Sequence, residues 1–253
     1  MSEIGIIIAT FNNNQYLYPL LRSILNTGTK DELFHIYLVN NGDAVHMQGF
    51  PPDERLTILQ QDHNLGWEGG LKVGLKESKE PLVVLLNDDT HIPFTSKNWL
   101  RDMAKHFYDP KVGAVGPITN VVMGGQNCFI EFPMTDNILR SKFLVNFCCM
   151  VRRSALDEVG GVDDTLPGGD DLDQSIRLRK GGYELLIDRN VFVYHHGFKT
   201  GERVNGPHQQ AGGWNSVEMV EKTNFALIRK HGLRTWMDVT QDQILGVYGL
   251  QQA

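Results

Sequence analysis

Four times within the first ninety residues, a strand-length stretch rich in apolar and β-branched residues stops at a cluster of amides, hydroxyls and carboxylates. Ile4-Gly-Ile-Ile-Ile-Ala9 runs into Thr10-Phe-Asn-Asn-Asn-Gln15, Phe34–Val39 into Asn40-Asn-Gly-Asp43, Leu56–Leu59 into Asp62-His-Asn-Leu-Gly66, and Leu82–Leu86 into Asn87-Asp-Asp-Thr90. A strand that is apolar on both of its faces needs cover on both, which is the condition of a parallel sheet sandwiched between helices. The intervening segments supply them: Tyr16–Leu25 has helical spacing, and a second helix is expected from Gly66 to about Ser78. The alternation predicts an α/β chain with a Rossmann-like, doubly wound, mostly parallel sheet over the first ~110 residues. Ligands of such sheets bind beyond the carboxyl ends of the strands, where the four polar clusters fall.

From Val112 onward the regularity fades. A strand is expected at Ala114-Val-Gly-Pro117, a long apolar strand around Phe143–Val151, a short helix near Arg153–Val159, a helix over Asp170–Lys180 and a strand over Leu185–Tyr194. A glycine- and histidine-containing loop, Gly197–Gly213, precedes an amphipathic helix from about Asn215 to His231. Neither repeats nor a low-complexity linker interrupt the chain, so one continuous domain is expected.

Charge and motif content exclude several classes. Lys and Arg number 24 against 30 Asp and Glu, a net charge of −6 without any basic stripe, which disfavours nucleic-acid binding. The three cysteines lack zinc or disulfide spacing, and no basic n-region or long apolar core opens the chain, so a cytoplasmic setting is expected. Apolar runs stay well below the roughly 20 residues of a membrane span, leaving at most peripheral membrane association. The loop after the first strand contains no glycine, which disfavours a nicotinamide Rossmann enzyme. Gly69 and Gly74 have phosphate-loop spacing, but Leu75 occupies the lysine position. There is no Gly-x-Ser-x-Gly elbow.

Three clusters remain. Asn87-Asp88-Asp89-Thr90 ends a buried strand with hard oxygen donors, suited to a divalent cation bridging carboxylate and diphosphate; it also reads as a turn with an Asx cap. Gly168-Gly-Asp170-Asp171 opens a helix whose first turn favours negative charge, so either aspartate caps the helix or carries chemistry, and the ionised form of Asp171 is expected at neutral pH. Asp173 and Arg177, four apart, are expected to pair structurally. Tyr194-His195-His196-Gly197-Phe-Lys199 ends another strand with imidazoles able to complete a metal shell and a lysine able to steady a phosphate.

In order along the chain, Ile8-Ala-Thr-Phe-Asn12, Val39-Asn-Asn-Gly42, Asn64-Leu-Gly-Trp-Glu-Gly-Gly70, Leu86-Asn-Asp-Asp-Thr90, Val112-Gly-Ala-Val-Gly-Pro117, Arg153 through Gly161-Val-Asp163, Asp170-Asp-Leu-Asp173 with Arg177, and the strand ending in His195 resemble the family-2 glycosyltransferases of the GT-A fold. The resemblance runs from Ile4 to about Gly232. It implies inverting transfer of a sugar from a nucleotide diphosphate donor to a glycan, lipid-linked or protein acceptor, with Mn²⁺ or Mg²⁺ as cofactor, in glycan or polysaccharide synthesis. Residues 1–110 would form the nucleotide-sugar half and 111–253 the acceptor half. By the same resemblance Ala9, Thr10 and Phe11 line base and ribose, Asn40 stands where an Asp usually contacts the base, and Asn64 with Trp67 to Gly70 closes over the nucleotide. Asn87 and Asp89 end the Asp-x-Asp motif, with Asp89 on the metal and Asp88 near ribose or diphosphate. Asp171 is the general base, Asp170 stands in for a Glu beside it, His195 is a late metal or diphosphate contact, and Lys199 a phosphate contact. The alternatives are a non-catalytic sugar- or nucleotide-binding module and a sugar-phosphate nucleotidyltransferase; the latter usually needs a basic, glycine-rich first loop.

Overall fold

In the computed structural model, residues 3–27, 33–43, 53–122, 124–129, 137–197, 199 and 217–241 are described. An eight-stranded sheet runs through the centre of a single mixed α/β domain in the order β3-β2-β1-β4-β8-β6-β9-β7. Its strands are β1 (Ile4–Thr10), β2 (Phe34–Asn40), β3 (Leu56–Gln60), β4 (Leu82–Asn87), β6 (Val112–Ile118), β7 (Ile138–Ser141), β8 (Cys148–Arg152) and β9 (Glu184–Phe192). The first four strands are parallel to one another, as the alternating sequence predicts. β8 then runs antiparallel between β4 and β6, β6 pairs parallel with β9, and β7 closes the edge antiparallel.

The uninterrupted apolar character of β1 has a direct structural cause. Ile6 and Ile8 pack on one face with Leu17, Leu20, Leu21 and Ile24 of α1 (Asn14–Thr27). Ile7 points the other way, onto Leu71 of α2 (Gly66–Glu77). All of these side chains are fully buried, and each contributes about 1.5–3 kcal/mol relative to exposure. α2 lies so close to β1 that a Cβ on Gly74 would meet Ile7 Cγ2 within van der Waals overlap, at 2.4 Å. That approach fixes where the amino end of α2 stands above the strand ends.

The expected long strand over Phe143–Val151 is shorter, Cys148–Arg152. Residues 143, 144, 146 and 147 are buried and Val145 partly so, yet all lie outside the ladder, because side chains take their backbone groups: Ser175 Oγ accepts from Leu144 N at 3.0 Å and Gln126 Oε1 from Val145 N at 2.7 Å. The adjacent Cys148 and Cys149 face opposite layers of the core, and burial raises both thiol pKa values. Further α-helices among the described residues are α3 (Trp99–Ala104), α4 (Arg153–Glu158), α5 (Asp170–Lys180), α6 (Val217–His231) and α7 (Leu233–Gln241). Of the expected loop Gly197–Gly213, only Gly197 and Lys199 lie within the described residues, as does the expected C-terminal helix only from Val217. No helix of the described residues is long and apolar enough to cross a membrane.

Candidate active site

Strand register sets the first layer of the site. Thr10 pairs with Asn40, and Ala9 with Asn87, so the carboxyl ends of β1, β2 and β4 finish in one row. Asp88, just beyond, is 4% exposed and accepts from Thr10 Oγ1 at 2.7 Å and Asn13 Nδ2 at 3.0 Å. Both of its oxygens are therefore engaged in clamping the β1 loop to β4. Asn12 adopts a left-handed backbone (φ 50°), which Asn tolerates better than most residues, and its Oδ1 accepts from Asp43 N at 2.6 Å. Gly42 is the only residue type that fits beside it, since a Cβ there would lie 2.2 Å from Asn12 Oδ1.

Asn40 is 1% exposed and its amide is spent locally, donating to Asp43 O at 2.7 Å and Gln60 Oε1 at 2.7 Å while accepting from Gly42 N at 3.2 Å. Its neighbour Asn41, unassigned in the sequence reading, donates to Gly66 O at 2.9 Å and leaves a buried Oδ1 without a partner among the described residues. Asn64 caps the turn into α2, its Oδ1 accepting from Gly66 N at 2.9 Å. Gly70 packs on Ala9, leaving no room for a side chain: a Cβ would stand 2.7 Å from Ala9 Cβ. Phe11 and Asn87 are half-buried at the rim.

A two-stranded ladder brings the second layer. β5 (Thr90–His91) pairs antiparallel with β10 (Tyr194–His195), Thr90 opposite His195. This sets His195 Nε2 3.2 Å from Asp89 Oδ1, both side chains nearly fully buried. His195 Nδ1 lies 3.0 Å from Val121 O. A carbonyl only accepts, so Nδ1 carries the proton, and in the neutral ring the Nε2 lone pair faces the carboxylate. Two such groups need a positive charge between them, either a proton or a metal cation. Burial works to raise the Asp89 pKa, but the bond and charge of His195 and the Lys199 N–H, 3.1 Å from Oδ2, bring it below the usual carboxylate value. Lys199 thus meets Asp89 through its backbone amide. His196 turns the opposite way, its ring 4.7 Å from Tyr16 and 4.9 Å from Tyr194, and burial lowers its pKa.

The third layer is the start of α5. Gly169, at φ +73°, is the left-handed residue that turns the chain into the helix. Asp170 Oδ2 accepts from Trp67 Nε1 at 3.1 Å and Asn146 Nδ2 at 3.2 Å, which joins the first turn of α2 to that of α5. Asp171 Oδ1 accepts from Leu172 N at 2.8 Å. The sequence expectation that the helix start keeps Asp171 ionised at neutral pH meets a stronger opposing effect. Burial and the like charge of Asp170, with a smaller share from Glu68, raise its pKa to about 7. Burial raises Asp170 as well, and burial with the charge of Asp170 raises Glu68 to about 7. Glu68 falls within the span Trp67 to Gly70 expected to close over the nucleotide, without a role of its own; its place in the first turn of α2, one residue after Trp67, is the available signal.

The expected Asp173–Arg177 pair forms at 2.7 Å. Asp173 also takes Lys230 at 2.6 Å and His231 at 2.7 Å, so the end of α6 is tied to the helix that bears Asp171. Among the described residues no group of three or more His, Cys, Asp or Glu is arranged to hold a metal ion. The pair Asp89 and His195 fits a cation that takes the rest of its shell from ligand oxygens and water.

Residues 5–160 match the family model described as Glycosyl transferase family 2. The mannosyltransferase PcManGT from Pyrobaculum calidifontis, solved in complex with GDP-Man and Mn²⁺, superposes with a TM-score of 0.68 at 16% identity over 96% of this chain and 69% of that one. The uncharacterized protein Rv1525 of Mycobacterium tuberculosis is 24% identical over 94% of this chain and 88% of its own length. A pre-mycofactocin glycosyltransferase of the same species is 23% identical over 76% of this chain and 42% of its own.

Proposed function

The chain belongs to glycosyl transferase family 2, and from that premise we propose that it is an inverting glycosyltransferase acting on a nucleotide-diphosphate sugar. The observation that supports this most directly is the pairing of two acidic sites with opposite electrostatics across the strand ends. Asp89 with His195 is a buried pair that a proton or a metal cation completes, while Asp170 and Asp171 sit at a helix start with raised pKa values.

Asp171 takes the proton of the acceptor hydroxyl as that oxygen attacks the anomeric carbon, and Asp170, held by Trp67 and Asn146, keeps a negative group beside it. A carboxylate that titrates near neutrality is well matched to this task, since base strength and ionised fraction are then both useful. Asp89 and His195 would hold Mn²⁺ or Mg²⁺, with Asn87 as a nearby oxygen donor, and the bound cation would supply charge neutralisation for the departing diphosphate. The imidazole donor suits Mn²⁺ better than Mg²⁺. Ala9, Thr10 and Phe11 line the nucleoside, with Asn64, Trp67 and Gly70 closing over it. Asp88 and Asn40 keep the surrounding loops in shape for ribose and base, and Asn41 Oδ1 accepts a base N–H. Lys199 contributes its amide to Asp89 and its ammonium to a phosphate. About residues 1–110 carry most donor contacts, and about 111–253 serve the acceptor while lending His195 and Lys199 to the diphosphate.

Proton NMR of the first-formed product from an α-linked donor is the decisive test. A single displacement gives a β linkage; a retained α linkage overturns the inverting assignment, and hydrolysis without transfer to any acceptor overturns the transferase reading.

A further inference from the structure

A concavity with polar lining lies at the carboxyl-terminal end of α5. Its volume is about 340 Å³, and it is lined by Ile176, Arg179 and Lys180 of α5 and by Arg234, Thr235 and Asp238 of α7. Its lining residues on α5 follow Asp171 by five to nine positions, roughly 8–14 Å along the helix at 1.5 Å per residue. Asp238 is already engaged: it takes Lys142 at 2.9 Å and Arg179 at 3.4 Å. Arg179 and Lys180 belong to the last turn of α5, where the helix dipole favours cations on structural grounds alone.

Arg234 has no such account. It occupies the first turn of α7, where the same dipole disfavours a cation, it stands beside two further cations in a protein of net charge −6, and no ion-pair partner reaches it among the described residues. Among the described residues Lys180 likewise has only the His231 carbonyl, at 3.5 Å. A residue placed against both local electrostatic preferences marks a site that an absent negative group completes. Next to Arg234 on the same helix, Leu233 and Met237 are 56% and 42% exposed, one helical turn apart.

We propose that this concavity binds a phosphate-bearing ligand through Arg234, Lys180 and the Thr235 hydroxyl. The bound chemistry is a phosphoryl group of about one to two phosphates in size, carried either by a soluble molecule or by an anionic lipid headgroup against which Leu233 and Met237 rest. This site is separate from the transfer chemistry, so its existence does not depend on the donor-site reading.

The test uses the whole chain in EDTA, which removes metal-assisted binding at Asp89. Inorganic pyrophosphate is titrated by calorimetry, and flotation compares vesicles of phosphatidylcholine with vesicles containing phosphatidylglycerol. Saturable binding of at least one anionic probe is expected, weakened about tenfold or more in the double variant Lys180→Gln with Arg234→Gln, the usual scale for losing charge-assisted contacts. Both side chains are exposed, so the variant should keep the melting temperature and donor affinity of the parent. Pyrophosphate binding alone assigns a soluble phosphoryl group, and flotation alone assigns a lipid headgroup. Absence of binding to both probes, or equal binding by parent and variant, overturns the proposal.

Discussion

The chain places two Asp-Asp pairs at the same end of one sheet and treats them in opposite ways. Around Asp88 and Asp89 the carboxylates meet donors: Thr10 and Asn13 on one, His195 and the Lys199 amide on the other. Around Asp170 and Asp171 they meet one another and Glu68, and the donors available to Asp170 do not outweigh burial. Asp89 is held below the usual carboxylate range and Asp171 is pushed up to about 7. The same dipeptide thus becomes a permanent anion in one place and a group poised to exchange a proton in the other, and that separation by environment is how acid–base roles are divided on one fold.

The largest effect that can break this comparison is removal of the permanent anion. Asp89→Ala deletes the carboxylate on which the cation site rests and should abolish transfer, a loss of about 10³-fold or more. Melting curves with UDP, GDP, dTDP and CDP, with and without Mn²⁺, should show one nucleotide raising the parent's transition only with metal, and no such rise in the variant. Metal-dependent stabilisation that survives Asp89→Ala would place the cation elsewhere. Asp171→Asn comes next: it keeps shape and removes basicity, so kcat should fall by about 10²–10⁴ with donor affinity nearly unchanged. A variant within a few-fold of the parent, while Asp170→Asn is inactive, would exchange the roles of the two residues.

A smaller effect separates clamp from chemistry within the first pair. Asp88→Ala leaves the Thr10 hydroxyl and the Asn13 amide short of an acceptor they use in the buried loop. Such a loss costs about 1–3 kcal/mol, so urea unfolding should show a lowered midpoint with an unchanged slope. An unchanged midpoint would mean that Asp88 does not hold the loop.

The two pairs also differ in how far they could be read from sequence. The positions of Asp89, two residues past the end of β4, and of His195, at the end of β10, were visible because each follows an apolar run that stops. The parallel half of the sheet was legible for the same reason, whereas the antiparallel insertion of β8 depends on pairing with β4 residues more than sixty positions away and with β6 residues 35–37 positions away. The raised pKa of Asp171 was not legible. Local sequence shows the helix start that favours its charge, but the opposing burial comes with packing of α5 in the fold, and Glu68 reaches it from the distant α2. Asn40 shows the converse: motif position suggested contact with a base, but Gln60 and Asp43, from the next strand and its own loop, occupy its amide. Residue type and order identify candidates; the competition for each polar atom is settled by neighbours from other elements.

The finest test concerns Glu68, which should tune the second pair without performing its chemistry. The groups acting on it are Asp170, Asp164 and Asp163, all acidic, and burial is the largest cause of its rise to about 7. Its folded pKa and that of Asp171 both lie above their ordinary values of 4.5 and 3.8. Each therefore contributes stability that is full below those ordinary values and is lost as pH climbs through about 7. Glu68→Gln removes one of the two, so melting temperatures of parent and variant should converge near pH 4, with the variant the more stable at pH 8. The same change withdraws a negative neighbour from Asp171 and lowers its pKa. The acid limb of kcat should then move down by a fraction of a pH unit while the plateau rate at pH 8 stays nearly the same. A limb that does not move, or one that moves upward, would show that Glu68 and Asp171 titrate independently and that the crowding of the second pair is confined to Asp170 and Asp171.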